Sequence, residues 1–253
     1  MPLVYLSRLT APERTPRANL HLGISLAFVA GAANAGGFLA IGQYTSHMTG
    51  FVSSAADNLV LGQLALAGAS LLSLASFASG AVCTAMLINY ARRSGRSDPY
   101  RIPLMIEAVL LLLFGIVGAS LQLHTFITVS ATAILLCFVM GLQNALVTKI
   151  SQAEIRTTHV TGLVTDFGIE LGKLIYWNRI RQPTSAPLVR ANRRKLLLHF
   201  SLILSFFTGG LAGALGFSRM GFSATIPLAC ILLLLSMAPL LREVSWVGRR
   251  RRQ

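Results

Sequence analysis

The chain has 253 residues, of which 54% are apolar and 12% are charged, and its mean hydropathy is +0.65. A soluble domain of this length could not bury so much apolar surface, which excludes a soluble globular protein. The net charge is +14 at pH 7. A charge of this size suits either nucleic acid or a membrane surface, and the position of the basic residues decides between them.

Six stretches of the chain are long and apolar enough to cross a bilayer, which takes roughly 20 mostly apolar residues. Two shorter stretches, 48–62 and 158–173, follow the first and the fourth of them and are predicted to form partial helices. We therefore predict an all-α integral membrane protein with six transmembrane helices. They are expected at residues 21–41, 66–90, 103–121, 126–148, 196–217 and 222–241.

The basic residues lie on one side of these predicted spans, with Arg219 as the single exception among 22. Cytoplasmic loops are enriched in Lys and Arg, so both termini are expected in the cytoplasm of a bacterial inner membrane. The basic tails, 1–20 and 242–253, are expected to bind anionic lipid, with each basic residue contributing about 1 kcal/mol. This distribution explains the net charge, and no nucleic-acid partner is predicted.

An internal repeat organises the chain. The pattern T-[ST]-H-x-T-G occurs at 45–50 and again at 157–162, and Gly31-Ala32-Ala33-Asn34-Ala35 is matched by Gly141-Leu142-Gln143-Asn144-Ala145. The second copy lies in mid-chain, so the Ala33-Asn34-Ala35 triplet is assigned to the fold, although it resembles a signal-peptidase site. The predicted repeats are 21–121 and 126–241.

Each predicted repeat contains three spans, an odd number, so the second would enter the membrane from the opposite side. Inverted repeats of this kind form transporter sites near the membrane midplane, where half-helices begin. Thr49 and Thr161 are predicted N-caps, and Gly50 and Gly162 are expected to leave a bare, positively polarised helix start that an anion can approach. The candidate substrate-binding residues are Asn34, His47, Thr49, Gly50, Gln143, Asn144, His159, Thr161 and Gly162.

The second partial helix also carries an ionisable stripe. His159, Asp166 and Glu170 share one helical face by their spacing, and Asp166 and Glu170 are candidates for ion or proton coupling. An amphipathic helix whose acids face water is the alternative interpretation. Elsewhere, Glu107 is expected to extend to the cytoplasmic interface near Arg101. No cofactor, metal ion or catalytic residue is predicted, because the corresponding motifs are lacking.

The segment 31–62, together with Gly141-x-Gln143-Asn144-Ala145 and Thr158-His159-Val160-Thr161-Gly162, resembles the YoaK-like family of bacterial membrane proteins. The resemblance covers roughly residues 20–241. It implies a six-helix inner-membrane protein and supplies no substrate, cofactor or catalytic residue, because the function of the family is unknown.

We interpret the sequence as a permease for a small polar or anionic solute that works by alternating access in the lipid bilayer. A homodimer is compatible with this interpretation. One alternative is a membrane-embedded enzyme that uses His47, His159, Asp166 and Glu170 as metal ligands or as acid and base. The other is a non-transporting scaffold or sensor that acts through its basic loops.

Overall fold

The structure is a computed structural model that describes residues 15–96, 98–120, 126–151, 158–176 and 188–250. These residues form eight α-helices, with a short 3₁₀ turn, Gly221–Ala224, before the last. In chain order the helices are α1 Pro16–Ile41, α2 Met48–Val60, α3 Leu64–Arg93, α4 Arg101–Ser120, α5 Phe126–Ile150, α6 Val160–Ile175, α7 Arg193–Met220 and α8 Thr225–Arg250.

The helices match the predicted elements one by one, so the all-α class is confirmed. Each predicted span corresponds to a helix that extends beyond it at one or both ends, and the two partial helices are α2 and α6. By length and composition, five stretches of helix among the described residues could cross a membrane. The fifth, Arg193–Met237, contains α7 and the first half of α8, which the sequence predicted as separate spans.

The surface of the long helices is that of a helical membrane protein. In α3 the buried positions hold small or hydroxyl-bearing residues such as Ser73, Ser76 and Gly80, while Leu71, Leu72 and Met86 are exposed. Small residues allow helices to approach closely where lipid supplies no hydrophobic drive between them. The exposed leucines are suited to contact with lipid tails.

The long helices pair across the two predicted repeats. The most extensive contacts join α1 with α7 and α3 with α5, followed by α4 with α8. Glycines make the first two contacts close: a Cβ on Gly31 would collide with the backbone of Phe206, and one on Gly141 would collide with the backbone of Phe77. The core is thus built from both halves of the chain.

The hydrogen bonds between these helix pairs repeat as well. Ser76 donates to the backbone oxygen of Ile134, and Ser205 donates to that of Ile24, both at 2.7 Å. Ser76-Phe77-Ala78-Ser79-Gly80 of α3 is matched by Ser205-Phe206-Phe207-Thr208-Gly209 of α7, 129 residues later. The two copies therefore make the same contact.

The prediction for Glu107 was wrong. Its side chain is fully buried, and neither carboxyl oxygen has a hydrogen-bond partner among the described residues. It lies on the same face of α4 as Leu104, Ala108 and Leu111, which are also buried, so the carboxyl group enters the helix core instead of extending to the interface.

Parts of several predictions lie outside the described residues. Most of the N-terminal basic tail, Thr157 of the second motif, and Arg251 and Arg252 of the C-terminal tail are among these positions.

Candidate functional site

The two repeated motifs have the same local structure. His47 is the N-cap of α2 and His159 is the N-cap of α6, and neither side chain makes a capping hydrogen bond. The predicted N-caps were wrong: Thr49 and Thr161 are the second residues of their helices. Each helix therefore begins two residues earlier than a threonine N-cap at 49 or 161 would require.

The helix starts are also not bare. A Cβ on Gly50 would lie 2.8 Å from Nε2 of His47, and one on Gly162 would lie 2.6 Å from Nε2 of His159. Each imidazole therefore folds back over the first turn of its own helix. The glycines make room for a histidine ring, which corrects the prediction that they leave the turn open to a ligand.

Both motifs line a single cavity with a volume of about 760 Å³. The structure thus brings together most of the predicted binding residues, although they come from both halves of the chain. The lining residues at the cavity are Asn34, Tyr44, Ser46, His47, Met48, Thr49, Phe77, Asn144, Thr158, His159, Val160, Thr161 and Phe206.

The cavity lies at the mid-length of two long helices. Phe77 is the fourteenth residue of α3 and Phe206 is the fourteenth of α7. At 1.5 Å per residue, each lies about 20 Å along its helix axis from the first residue. In a helix that spans a bilayer, this is close to the middle of the hydrocarbon layer.

The partial helix α6 runs antiparallel to α7, from this level toward the start of α7. His159 lies beside the cavity with Phe206, the rings of Phe167 and Phe200 lie 6.1 Å apart, and Glu170 accepts from the backbone N–H of Asn192. Successive contacts along α6 thus approach the N-terminus of α7.

The partial helix α2 repeats this arrangement against α3. Its motif shares the cavity with Phe77, and the hydroxyl of Ser70 donates to that of Ser54 at 3.4 Å. At the far end, the backbone N–H of Gln63, the N-cap of α3, donates to the backbone oxygen of Asn58 at 2.8 Å. Both partial helices therefore begin at the cavity and end where their neighbouring helix begins.

The paired amides differ in their partners. Asn34 Oδ1 accepts from the hydroxyl of Ser46 at 3.0 Å and from its backbone N–H at 3.3 Å. Asn144 Oδ1, at the matching position, has no hydrogen-bond partner among the described residues. The two matching amides therefore differ in how their side chains are held.

Gln143 lies apart from the cavity. It is fully buried, and its Nε2 donates to the backbone oxygen of Leu26 at 3.2 Å. The side chain therefore joins α5 to α1, which is the common role of a buried amide between membrane helices.

The acids of the predicted stripe do not line the cavity either. Glu170 accepts from Lys173 Nζ at 2.9 Å and from the backbone N–H of Asn192 at 2.7 Å. These two bonds, first that from Lys173, lower the pKa of the Glu170 carboxyl. Asp166 is exposed on the same helix. Glu170 therefore fastens the end of α6 to the start of α7, and only His159 of the stripe reaches the cavity.

Several site residues were missed by the sequence analysis. Phe77 and Phe206 occupy matching positions in the S-F-x-[ST]-G repeat, and Tyr44 precedes the first motif. The repeat could have identified the two phenylalanines, but its spacing of 129 residues differs from the 112 residues between the motifs.

The electrostatics of the cavity favour groups that carry negative or partial negative charge. Its described lining has two imidazoles, amides and hydroxyls and no acid, and two helix N-termini begin there. Among the residues that the structure describes, no cluster of three or more His, Cys, Asp or Glu side chains could hold a metal ion.

The chain belongs to the family described as "Protein of unknown function (DUF1275)", whose model matches residues 22–238. The resemblance to the YoaK-like proteins inferred from the motifs is thereby confirmed. Comparisons with curated proteins and with solved structures gave no match.

Proposed function

We propose that this member of the DUF1275 family is a permease that binds a small polar or anionic solute between its two repeated motifs. The observation that carries the proposal is the single cavity, about 760 Å³, lined by His47 and His159 with Asn34 and Asn144 at the mid-length of α3 and α7. A binding site at the middle of spanning helices, at the starts of two partial helices, is the arrangement of many secondary transporters.

The proposed membrane topology has six spans, with α7 and α8 crossing separately and both termini in the cytoplasm. Gly221 supports the separation, because its φ of +58° ends α7 in a conformation that favours glycine. The repeats would then be inverted, and α2 and α6 would extend from the midplane toward opposite membrane surfaces. The repeated pairing of α1 with α7 and of α3 with α5 fits such a two-fold relation.

Reporter fusions test this topology. Fusions at Ser94 and Pro183 are expected to report the cytoplasm, and fusions at Gln122 and Met220 the periplasm. Pro183 and Gln122 lie outside the described residues. A periplasmic signal at Pro183 would contradict the inverted arrangement.

A difference between the two partial helices supports alternating access. Beside α2, a second cavity of about 260 Å³ has a mostly apolar lining that includes the polar side chains of Ser54, Asn58, Ser70 and Ser73. At the matching side of α6, Glu170 binds Lys173 and the start of α7. We interpret the first side as an open access route and the second as a closed one, and transport would exchange the two states.

Solute flux in proteoliposomes tests the permease proposal. The full-length protein would be reconstituted, and uptake would be compared among small uncharged polar solutes and sodium salts of small carboxylates and inorganic anions. Saturable flux of at least one solute above protein-free liposomes is expected. If none of these solutes enters, the permease proposal is rejected and the scaffold interpretation is favoured.

Two glycines of α6 provide a matched pair of variants for this assay. Gly162→Val places a side chain where the His159 ring lies and would push the imidazole into the cavity. Gly168→Val changes the same helix where a Cβ would meet no atom of the described residues within 4 Å. We expect at least a tenfold loss of flux for the first and none for the second. Equal flux in the two variants would show that the cavity is not the transport site.

A further inference from the structure

The helices α4 and α8 are related by a repeat of their own. Ile102-Pro103-Leu104 recurs as Ile226-Pro227-Leu228, 124 residues later. The same offset relates pairs of buried positions along the two helices. These pairs are Leu104 with Leu228, Ala108 with Leu232, and Leu111 with Leu235.

By this offset, Glu107 corresponds to Ile231. An apolar side chain occupies the matching position of α8, so the packing of such a helix does not require an acid there. Among the described buried positions of α4 and α8, Glu107 is the one ionisable residue. A buried ionisable group in a membrane helix is costly, and such groups usually serve a function.

Glu107 lies on the face of α4 that packs against α8 and the 3₁₀ turn, because it shares that face with Gly118, 11 residues later. Gly115 of α4 lies against Thr225 of α8, and Gly118 lies against Phe222 of the 3₁₀ turn, so that a Cβ on either glycine would collide with these side chains. The Glu107 carboxyl is fully buried and has no partner among the described residues. An ionised carboxylate without a counter-charge is strongly disfavoured there, whereas the neutral acid is tolerated.

No described charged group compensates the carboxyl. The helices packed against α4 are α8, α5 and α3. Their described titratable side chains are Cys83, Tyr90, Arg92 and Arg93 of α3, Cys137 and Lys149 of α5, and Cys230 of α8, and α4 itself carries Arg101, whose Nε has no hydrogen-bond partner in the described part of the chain. None of these donates a hydrogen bond to Glu107, and Arg92 is bonded to the hydroxyl of Tyr100 at 2.8 Å.

We propose that Glu107 is a proton-binding site in the helix core, distinct from the cavity at the motifs, and that it holds its proton in the conformation described here. Loss of the proton would leave a charge between α4 and α8, so deprotonation requires the two helices to separate or to admit water. Protonation of Glu107 therefore favours the packed arrangement of α4 and α8. The inference does not depend on the permease proposal, because it concerns the state of the resting protein.

Infrared spectroscopy of the reconstituted full-length protein tests this assignment directly. A protonated carboxyl and a carboxylate absorb at different frequencies, and ¹³C labelling of glutamate moves the bands of the five glutamates away from those of aspartate. At pH 7 we expect a glutamic acid C=O band in the wild type that is lost in Glu107→Gln. The control variant Glu170→Gln should retain the band, because that carboxyl is hydrogen-bonded as an acceptor at the end of α6.

If Glu107→Gln does not fold, the pH dependence of the glutamic acid band in the wild type still tests the assignment. A glutamic acid band that disappears as the pH rises through about 4.3, the ordinary value of glutamate in water, would overturn the proposal. The variant Glu107→Ile, which copies the residue of α8, is expected to fold and to lack the band. If the band persists in either folded variant, the proton resides elsewhere and the assignment is wrong.

Discussion

Two adjacent glycines of α7 give the sharpest test of the helix pairing. Gly209→Ala would place a Cβ against the backbone of Phe28 in α1, 2.7 Å from its carbonyl carbon and 2.8 Å from its Cα. Gly210→Ala would place a Cβ 3.7 Å from the nearest atom, the backbone oxygen of Gly31, which is ordinary contact. The matching position in α3 is already Ala81.

The expected magnitude follows from two opposing effects. Alanine stabilises a helix interior by about 1 kcal/mol relative to glycine, and this gain is the same for both variants. Forcing a methyl group into a closely packed contact costs about 1–3 kcal/mol, and here the obstacle is backbone that cannot rotate away. Gly210→Ala should therefore equal or exceed the wild type in stability, and Gly209→Ala should be about 1–3 kcal/mol less stable than Gly210→Ala.

Thermal unfolding in detergent measures this difference. For a chain of this length, 1 kcal/mol shifts Tm by about 2–4 °C, so the two variants should differ by about 2–12 °C. Gly80→Ala, the α3 counterpart of Gly209→Ala, should behave like it, because its Cβ would collide with the backbone of Phe138. Equal Tm values for Gly209→Ala and Gly210→Ala would refute the close approach of α1 and α7.

Two further predictions concern hydrogen bonds. Ser76→Ala and Ser205→Ala should each lower the free energy of unfolding by about 0.5–1.5 kcal/mol and by similar amounts, because both serines donate over 2.7 Å to a backbone oxygen; denaturant titration measures both, and unequal losses would show that the contacts are not equivalent. Glu170→Gln should lower stability at neutral pH but not in acid. The bond from Lys173 lowers the pKa of Glu170 in the folded protein. Its contribution is therefore present above the unfolded value of about 4.3 and is lost as the pH falls through the folded value. A difference between wild type and Glu170→Gln that does not shrink as the pH falls below about 4.3 would contradict this account.

The sequence predicted the helices well and the details of their ends less well. Apolar runs about 20 residues long left little choice of secondary structure, and the T-[ST]-H-x-T-G repeat placed α2 and α6 at equivalent positions. The caps were wrong because hydroxyl residues are usual at helix starts, whereas the His47 ring lies over Gly50 through a local fold that no propensity describes.

The contacts of individual side chains were harder to predict from the sequence than the helices. Glu170 was predicted to couple ions because it shares a face with His159, but it binds Asn192, 22 residues later. That contact depends on how α7 begins after a long connection, which helical periodicity does not reveal. Glu107 lies near the end of a predicted span, where long side chains can usually extend to the interface. Only the structure shows that its side chain is buried among the helices.

The crossed pairing of helices has a consequence for biosynthesis. During translation α1 and α3 leave the ribosome first, yet their most extensive contacts are with α7 and α5, which are made later. The close-packing helix surfaces at Gly31 and Gly80 must therefore remain without their partner helices, in the translocon or the lipid, until the second half of the chain has been synthesised. A nascent chain that stops after α4 would expose both faces to quality-control proteases, whereas the complementary fragment supplied in trans has the surfaces needed to rescue it.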